Sequence, residues 1–471
     1  MPSKQDTSAG ATTTTLSLCM IVKNEAALLG RCLASVQKAV DQIVVVDTGS
    51  TDTTVEVARR YGATVIQSDW RDDFSYSRNI SIEHATGTWI LWLDADDVVP
   101  ESSITQIIEL KKRSPDRVFG FIVRNERPGN TGTEFIQARM FPNSSDLRFE
   151  RSIHEQIMPS ALRKGLVMER CEVVVEHHGY AEPATLREKA ARNVRLLLKE
   201  YPQVAPDVVM ALEIADSYTL IDDDTAAAQW YGEVLAIPDC AQVTPVLAAH
   251  AHFGLGNIDN KLERYDSAIT HFDEALQLTP WRADVLYSLA VAQELSGKSD
   301  EAVVSLRSIP SIKPKAGQVG VDFRSATIKS YLRCIRLLIE LERREEAKPI
   351  VEEACKVVGH RPEIQSMAGK FYLKTESLID ALHAFERSLQ IRREGNFEAY
   401  VGLCLIYYRA QRNDVARQTL DTIAPMFQDD MRYFIVRNRL LGEEVPEKLF
   451  SDQQKLEEHE KRLQREFWGM L

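Results

Sequence analysis

Residues 89–100, WILWLDADDVVP, limit what this chain can fold into more than any other stretch. Trp89, Ile90, Leu91, Trp92 and Leu93 are apolar without helical periodicity, and carboxylates follow at Asp94, Asp96 and Asp97. A short run apolar at every position suits a strand covered on both faces, as in a parallel sheet flanked by helices. Such a strand delivers its next residues to the carboxyl rim of the sheet, where ligands of open α/β folds bind. Three acids within four positions repel one another at neutral pH unless a cation compensates them. Hard divalent ions take oxygen ligands and share them with substrate phosphates, so the expectation is a metal-diphosphate site, not a solvated acidic turn.

The preceding residues repeat the same grammar. Residues 16–22 (LSLCMIV) read as a buried strand followed at once by Lys23, Asn24 and Glu25. Leu28, Leu29, Cys32, Leu33 and Val36 then share one helical face. Residues 43–46 form a second strand ending in Asp47-Thr48-Gly49-Ser50-Thr51-Asp52, a turn from which Thr51 or Asp52 can cap a helix running through Arg60. Residues 63–67 are a third strand, before a helix carrying Arg78 and Asn79 and then the Trp89 strand. This alternation implies a parallel sheet with right-handed crossovers. Asn24/Glu25, Asp47/Thr48 and Asp94/Asp96 all follow strands and so share one rim, an arrangement that suits a nucleotide. No G-x-G-x-x-G follows the first strand, which excludes a dinucleotide fingerprint. The absence there of a Gly-rich phosphate loop disfavours a sugar-phosphate nucleotidylyltransferase. A glycosidase also uses paired carboxylates but has no need of these strand ends.

CMIVKNE, VVVDTGSTDTT, DDFSYSRN and WILWLDADD resemble, in order and spacing, the family-2 inverting nucleotide-sugar glycosyltransferases of GT-A fold. FIQARMF, RSIHEQ and VEHHGY carry the resemblance to about residue 180 and look like a branch with helical repeats that includes the bacteriocin cysteine S-glycosyltransferases. The resemblance implies a Rossmann-like mixed sheet and transfer from a nucleotide sugar, usually a UDP-sugar, with Mg²⁺ or Mn²⁺. It implies that Asp47 and Thr48 hold the nucleobase and that Asn24 and Glu25 line the nucleoside. Arg78 and Asn79 would lie near the diphosphate or sugar. Asp94 and Asp96 match the Asp-x-Asp pair, the second acid contacting the metal; Asp97 has no assigned role. His154 and Glu155 follow at the family's interval, with Glu155 expected as the base and His154 positioning the metal or diphosphate; the reverse assignment stays open. Asp73 is a third candidate base, and His178 is expected to complete the metal or phosphate shell. Plainer roles compete: Asn24, Asp47 and Asp52 can close turns, Arg78 can be a helix-surface charge, and His178 can be a structural hydrogen-bonder.

After Glu182-Pro183 the pattern becomes helical. Ala227, Ala268, Ala302, Ala347, Ala381 and Ala416 recur at separations of 41, 34, 45, 34 and 35. Apolar or small residues follow four and seven positions later, as in Ala268/Phe272/Ala275, and small residues such as Gly256, Ala290 and Gly369 lie twelve before. This is the helix-turn-helix period of tetratricopeptide (TPR) repeats, an all-α solenoid. The two long separations mark insertions, the second containing Pro310, Pro314, Gly317 and Gly320. The expected organisation is a disordered tail 1–15, a transferase domain 16–181, repeats 182–445, and a terminal helix 446–471. That helix, with Phe467, Trp468 and Leu471 at its tip, is expected to cap the solenoid or to form an interface.

Length and composition agree with this division. At 471 residues two or three domains are expected, and 44% hydrophobic with 27% charged residues is that of a globular protein. A net charge of −12 argues against nucleic acid as partner. No apolar run approaches the roughly 20 residues that span a bilayer. Residues 1–15 lack the basic start and apolar core of a secretory signal. Seven scattered cysteines without a Cys-x-x-Cys read as buried thiols of a cytoplasmic protein, with no cysteine zinc site. The repeats suggest a peptide or protein acceptor, or a homodimer; a glycan or small-molecule acceptor is the alternative. From a different class, a non-catalytic scaffold with a degenerate transferase domain is the rival.

Overall fold

The computed structural model describes residues 14–127, 131–178, 183–201, 207–313, 321–427 and 430–443, with 457–459, 461 and 463 beyond them. Nearly all of the expected tail 1–15 lies outside the described residues. So do Gly179 and Tyr180, the loop residues Pro314, Gly317 and Gly320, and Phe467, Trp468 and Leu471.

Eight strands form one mixed sheet. In chain order these are β1 (Leu16–Val22), β2 (Gln42–Asp47), β3 (Thr64–Gln67), β4 (Trp89–Trp92), β5 (Asp97–Val98), β6 (Val118–Arg127), β7 (Thr131–Pro142) and β8 (Met168–His177). Their spatial order is β3-β2-β1-β4-β7-β6-β8-β5. The first four pair in parallel, β1 lying between β2 and β4, as the strand-helix alternation predicts. Strand β7 then turns the sheet antiparallel against β4 and β6, which makes it mixed. Helices α1 (Ala26–Val36), α2 (Thr54–Arg60), α3 (Phe74–Glu83) and α4 (Glu101–Lys111) are the crossovers, and α5 (Met158–Arg163) precedes β8.

Strand β4 is buried at every position because both faces are covered. Trp89 and Leu91 join Leu18, Met20, Leu29, Leu33 and Ile104 in one apolar cluster. Ile90 and Trp92 join Cys19, Val44, Ile82, Phe141 and Phe149 in a second. Each such side chain contributes roughly 1.5–3 kcal/mol by leaving water, so this strand anchors the rim that follows it.

From Pro183 onward the described residues are helical: α6 (Pro183–Glu200), α7 (Val208–Leu220), α8 (Asp224–Ala236), α9 (Cys240–Val243), α10 (Pro245–Lys261), α11 (Tyr265–Leu278), α12 (Ala283–Leu295), α13 (Ser299–Ser308), α14 (Phe323–Glu340), α15 (Arg344–Val358), α16 (Pro362–Lys374), α17 (Leu378–Ile391), α18 (Phe397–Arg409), α19 (Asn413–Phe427) and α20 (Met431–Leu441). The six aligned alanines are fully buried, one near the start of each of α8, α11, α13, α15, α17 and α19. Their small partners have a steric cause. A Cβ on Gly256 would lie 2.5 Å from Phe272, and one on Gly369 2.7 Å from Phe385. The first insertion is the short helix α9; of the second, a single 3-10 turn at Ile309–Ser311 is described. The chain divides into two compact units whose main boundary falls between Arg282 and Ala283, with Val321 and Asp322 grouped with the first. Helices α6–α11 thus belong to the same unit as the sheet. In the second unit, Leu463 is buried against α18, α19 and α20.

Candidate active site

Arg78 organises the rim. It projects from α3 and is 5% exposed, so it is no surface charge. Its Nη2 donates to Asp94 Oδ1 at 2.8 Å and its Nε donates to Glu155. The guanidinium carbon sits 4.2 Å from the centre of the Trp92 ring, and that of Arg139 sits 3.9 Å from it. Arg78 therefore joins the strand-end acid to the His154-Glu155 segment, which is remote in sequence. Burial works against the Asp94 charge, but Arg78 and Arg139 outweigh it and bring the carboxyl down to about 2.

Asp97 has a different task. It is fully buried; Oδ2 accepts from Arg139 Nη1 and from the Asp94 N–H, each at 2.8 Å, and Oδ1 lies 2.9 Å from His177 Nδ1. The β5–β8 pairing sets Asp97 directly opposite His177. This hydrogen bond, opposed by burial and aided by the nearby acids, raises the His177 pKa above the ordinary value.

Asp96 is the acid left short of positive charge. Burial raises its pKa; His177 opposes this, while repulsion from Asp94 and Asp97 adds to it. Asp94, Asp96, Asp97 and Glu155 carry four negative charges against two on Arg78 and Arg139, or three with His177 protonated. A deficit of one or two charges in a half-buried corner fits a divalent cation. Ligand atoms of Asp96, Asp97 and His177 lie within 4.8 Å of one another. These oxygen-rich donors suit Mg²⁺ or Mn²⁺.

The other strand ends close the rim. Asp47 is 2% exposed and meets the Ser50 N–H at 3.2 and 3.3 Å. Thr48 is buried, its hydroxyl donating to the Val22 carbonyl at 3.2 Å. Asn24 stands at φ +57°, and its Oδ1 accepts from the Thr51 N–H at 2.8 Å, so it does close the turn. Asp52 accepts from the Thr54 N–H at 3.0 Å and the Ala26 N–H at 3.2 Å. Burial raises the Glu25 pKa, and Asp96, Asp94 and Asp52 add to it against Lys189 of α6; Glu25 therefore senses the acids at the end of β4.

Three expected site residues have other partners. Both ends of the Asn79 amide bond the Phe149 backbone, at 2.9 and 3.0 Å. Asp73 is the N-cap of α3, accepting from the Tyr76 N–H at 2.9 Å. The His178 side chain lies 3.7 Å from Glu176, while its neighbour His177 joins the acids. Glu155, by contrast, meets Arg78, and His154 Nδ1 lies 2.8 Å from Oε1 of Glu213 on α7. Sequence reasoning missed Arg139, His177 and Glu213. A lone arginine in the otherwise apolar end of FIQARMF was the available signal for the first.

Comparison with known proteins agrees with this geometry. Residues 17–167 match the glycosyl transferase family 2 model, and residues 261–319 and 372–440 match tetratricopeptide repeats. A TPR repeat-containing protein of Synechococcus elongatus is 31% identical over 275 residues, 57% of this chain and 67% of that one. The prophage-derived glycosyltransferase SunS of Bacillus subtilis is 28% identical over 190 residues, 39% of this chain and 44% of its own. An uncharacterized glycosyltransferase of Rickettsia felis is 39% identical over 82 residues, 17% of this chain and 29% of that protein. The match thus spans less than half of the SunS and Rickettsia proteins. The sheet, its acid rim and the repeats point the same way: the chain belongs to the family 2 glycosyltransferases that carry tetratricopeptide repeats.

Proposed function

We propose that this glycosyltransferase moves a sugar from a nucleotide sugar, most simply a UDP-sugar, to a peptide or protein side chain, with inversion and with Mg²⁺ or Mn²⁺. The observation that carries the reading is Asp96: a half-buried, under-compensated carboxylate beside an Arg78–Asp94 pair, at the end of the central strand. Asp96, helped by Asp94 and His177, would hold the ion, which would neutralise charge on a departing diphosphate. Arg78 places a second positive charge at the same corner, and preformed charges there need no reorganisation during reaction. Asp47 suits the N–H of a uracil ring, being a buried acceptor with one weakly placed donor. Thr48, Asn24 and Glu25 shape the rest of that pocket, and Asn79 and Asp73 support it through the backbone. The base comes from the His154-Glu155 segment.

Repeat arrays offer extended concave surfaces, which supports a peptide or protein acceptor. We assign the transferase domain to 16–181, repeats to 182–445 and a cap or dimer interface to 446–471. The reduced cysteines support a cytoplasmic setting. Among the described residues no helix is long and apolar enough to cross a membrane. Thermal melting tests the core of the reading: UDP with Mn²⁺ should raise the melting temperature of the wild type and not of Asp96→Ala. No shift with any nucleoside diphosphate would favour a scaffold without catalysis.

A further inference from the structure

The loop bearing His154 is held from outside the sheet. Arg151 and His154 both stand at positive φ, +79° and +50°, which costs side-chain-bearing residues on the order of 1–3 kcal/mol each and persists only where the surroundings over-determine it. Helices α6 and α7 supply that determination. Glu200 of α6 accepts from the Ser152 N–H at 3.0 Å and also from its hydroxyl. Ile153 is 2% exposed and packs with Leu196, Leu197, Met210 and Ile214 of the two helices. Glu213 of α7 uses both oxygens: Oε2 accepts from Arg151 Nη2 at 3.0 Å, and Oε1 lies 2.8 Å from His154 Nδ1.

The two neighbours at the end of this loop are therefore unequally free. The Glu155 side chain is 11% exposed and bonded to Arg78, which also holds Asp94. The His154 side chain is 37% exposed; with Nδ1 turned to Glu213, its remaining ring nitrogen is Nε2. An imidazole oriented by a carboxylate through one nitrogen, and offering the other, is a recurrent form of general base.

We infer that Glu213 is a positioning residue for the transfer step, fixing His154 so that its Nε2, and not the Glu155 carboxylate, takes the acceptor proton. The inference rests on the glycosyl-transfer reading above. The acceptor's X–H proton passes to Nε2 as the X lone pair forms the bond to the anomeric carbon. The bond from that carbon to the diphosphate oxygen breaks, its electron pair leaving with the diphosphate. The charged groups facing His154 are Glu213 from α7 and Glu155 and Arg151 from its own loop. Burial lowers the imidazole's pKa, but Glu213 and then Glu155 more than reverse this and hold it above the ordinary value. A helix that follows the sheet domain in sequence thereby takes part in the chemistry.

Two readouts on the full chain test this. The first needs no donor: in ¹⁵N-histidine-labelled protein, neutral wild-type His154 should be protonated at Nδ1, and Glu213→Gln should lower its pKa and mix its tautomers. The second is UDP release from UDP-glucose, UDP-galactose and UDP-N-acetylglucosamine with Mn²⁺. Glu213→Gln should cut kcat at least tenfold at nearly constant KM and move the acidic limb of the pH profile downward, with Glu213→Asp restoring part of the rate. His154→Gln should cost about 100-fold or more in kcat and remove that limb, the usual range for a lost general base. An unchanged His154 tautomer and pKa in Glu213→Gln would overturn the positioning role. Loss of the limb in Glu155→Gln with kcat retained in His154→Gln would move the base to Glu155. Should Glu213→Gln fail to fold, Glu213→Asp carries the same two readouts. Failure of UDP and Mn²⁺ to stabilise even the wild type would instead defeat the nucleotide-sugar reading, whatever the resonance data say.

Discussion

Asparagine at two neighbouring positions, 96 and 97, should move the metal-free protein in opposite directions. Asp97 is fully buried and bonds Arg139, itself 2% exposed, at 2.8 Å. Asp97→Asn removes the nearer counter-charge from that guanidinium and leaves it Asp94 at 3.9 Å, and breaking a buried pair costs about 3–5 kcal/mol. An amide oxygen can still accept one bond, so we take the lower figure, about 3 kcal/mol. At roughly 2–4 °C per kcal/mol for a unit of this size, the melting temperature should fall by about 6–12 °C. Asp96 is the reverse case. Its folded pKa is raised above 3.8, so the stability it lends is full below that value and lost as pH rises through the folded pKa. At pH 7 its ionised form is a burden on the metal-free fold, and Asp96→Asn should leave the melting temperature unchanged or higher. Ligand then inverts the ranking. With UDP and Mn²⁺ at 100 times the dissociation constant, wild type should gain about 2.7 kcal/mol and Asp96→Asn essentially nothing. Scanning calorimetry of the full chain, following the transition of the first unit, reads all of these. A melting temperature within a degree of wild type for Asp97→Asn, or an equal loss for Asp96→Asn, would refute the charge accounting.

Three further outcomes rest on the same structure. Asn79→Ala strips both hydrogen bonds from the Phe149 backbone and should cost about 2–4 kcal/mol in urea unfolding, while UDP affinity changes less than threefold. Gly402→Ala sets a Cβ 2.3 Å from the Phe385 ring and should destabilise the second unit by about 1–3 kcal/mol, leaving donor hydrolysis unaffected. His177 has a pKa raised from 6.5, so its contribution to the metal-free fold is full below that value and fades as pH rises through the folded pKa. Melting temperatures measured from pH 6 to 8.5 should therefore decline in wild type and flatten in His177→Gln.

The parts of this molecule that could be read from the sequence are those set by local pattern. Strands β1, β2 and β4 are apolar at nearly every position because both faces are covered, and that leaves an unbroken signature. The six alanines mark one crowded position in successive helix pairs, where a larger side chain would meet the facing helix. The remainder depends on pairing at a distance. Arg139 reaches the acids because β7 lies antiparallel to β4, with Met140 opposite Leu91, and nothing near either strand announces that neighbour. The choice between His177 and His178 is a matter of strand parity: adjacent side chains face opposite sides, and pairing with β5 turns His177 to the acids. Asn79 and Asp73 were legible as polar residues near the rim, but an amide that brackets a backbone and a carboxylate that caps a helix have the same local appearance as ligand contacts. Glu213 had no signal at all, since its partner lies 59 positions earlier.

The clasp between the 151–154 loop and helices α6 and α7 has a practical corollary for anyone recombining these proteins. A splice made where strands give way to helices, near residue 182, would discard the carboxylates that hold Arg151, Ser152 and His154, and the resulting graft should be sluggish even if it folds. The serviceable seam is after Arg282, at the main boundary between the two compact units. Repeats beyond that seam can be traded as cargo, while those before it are inherited with the reaction.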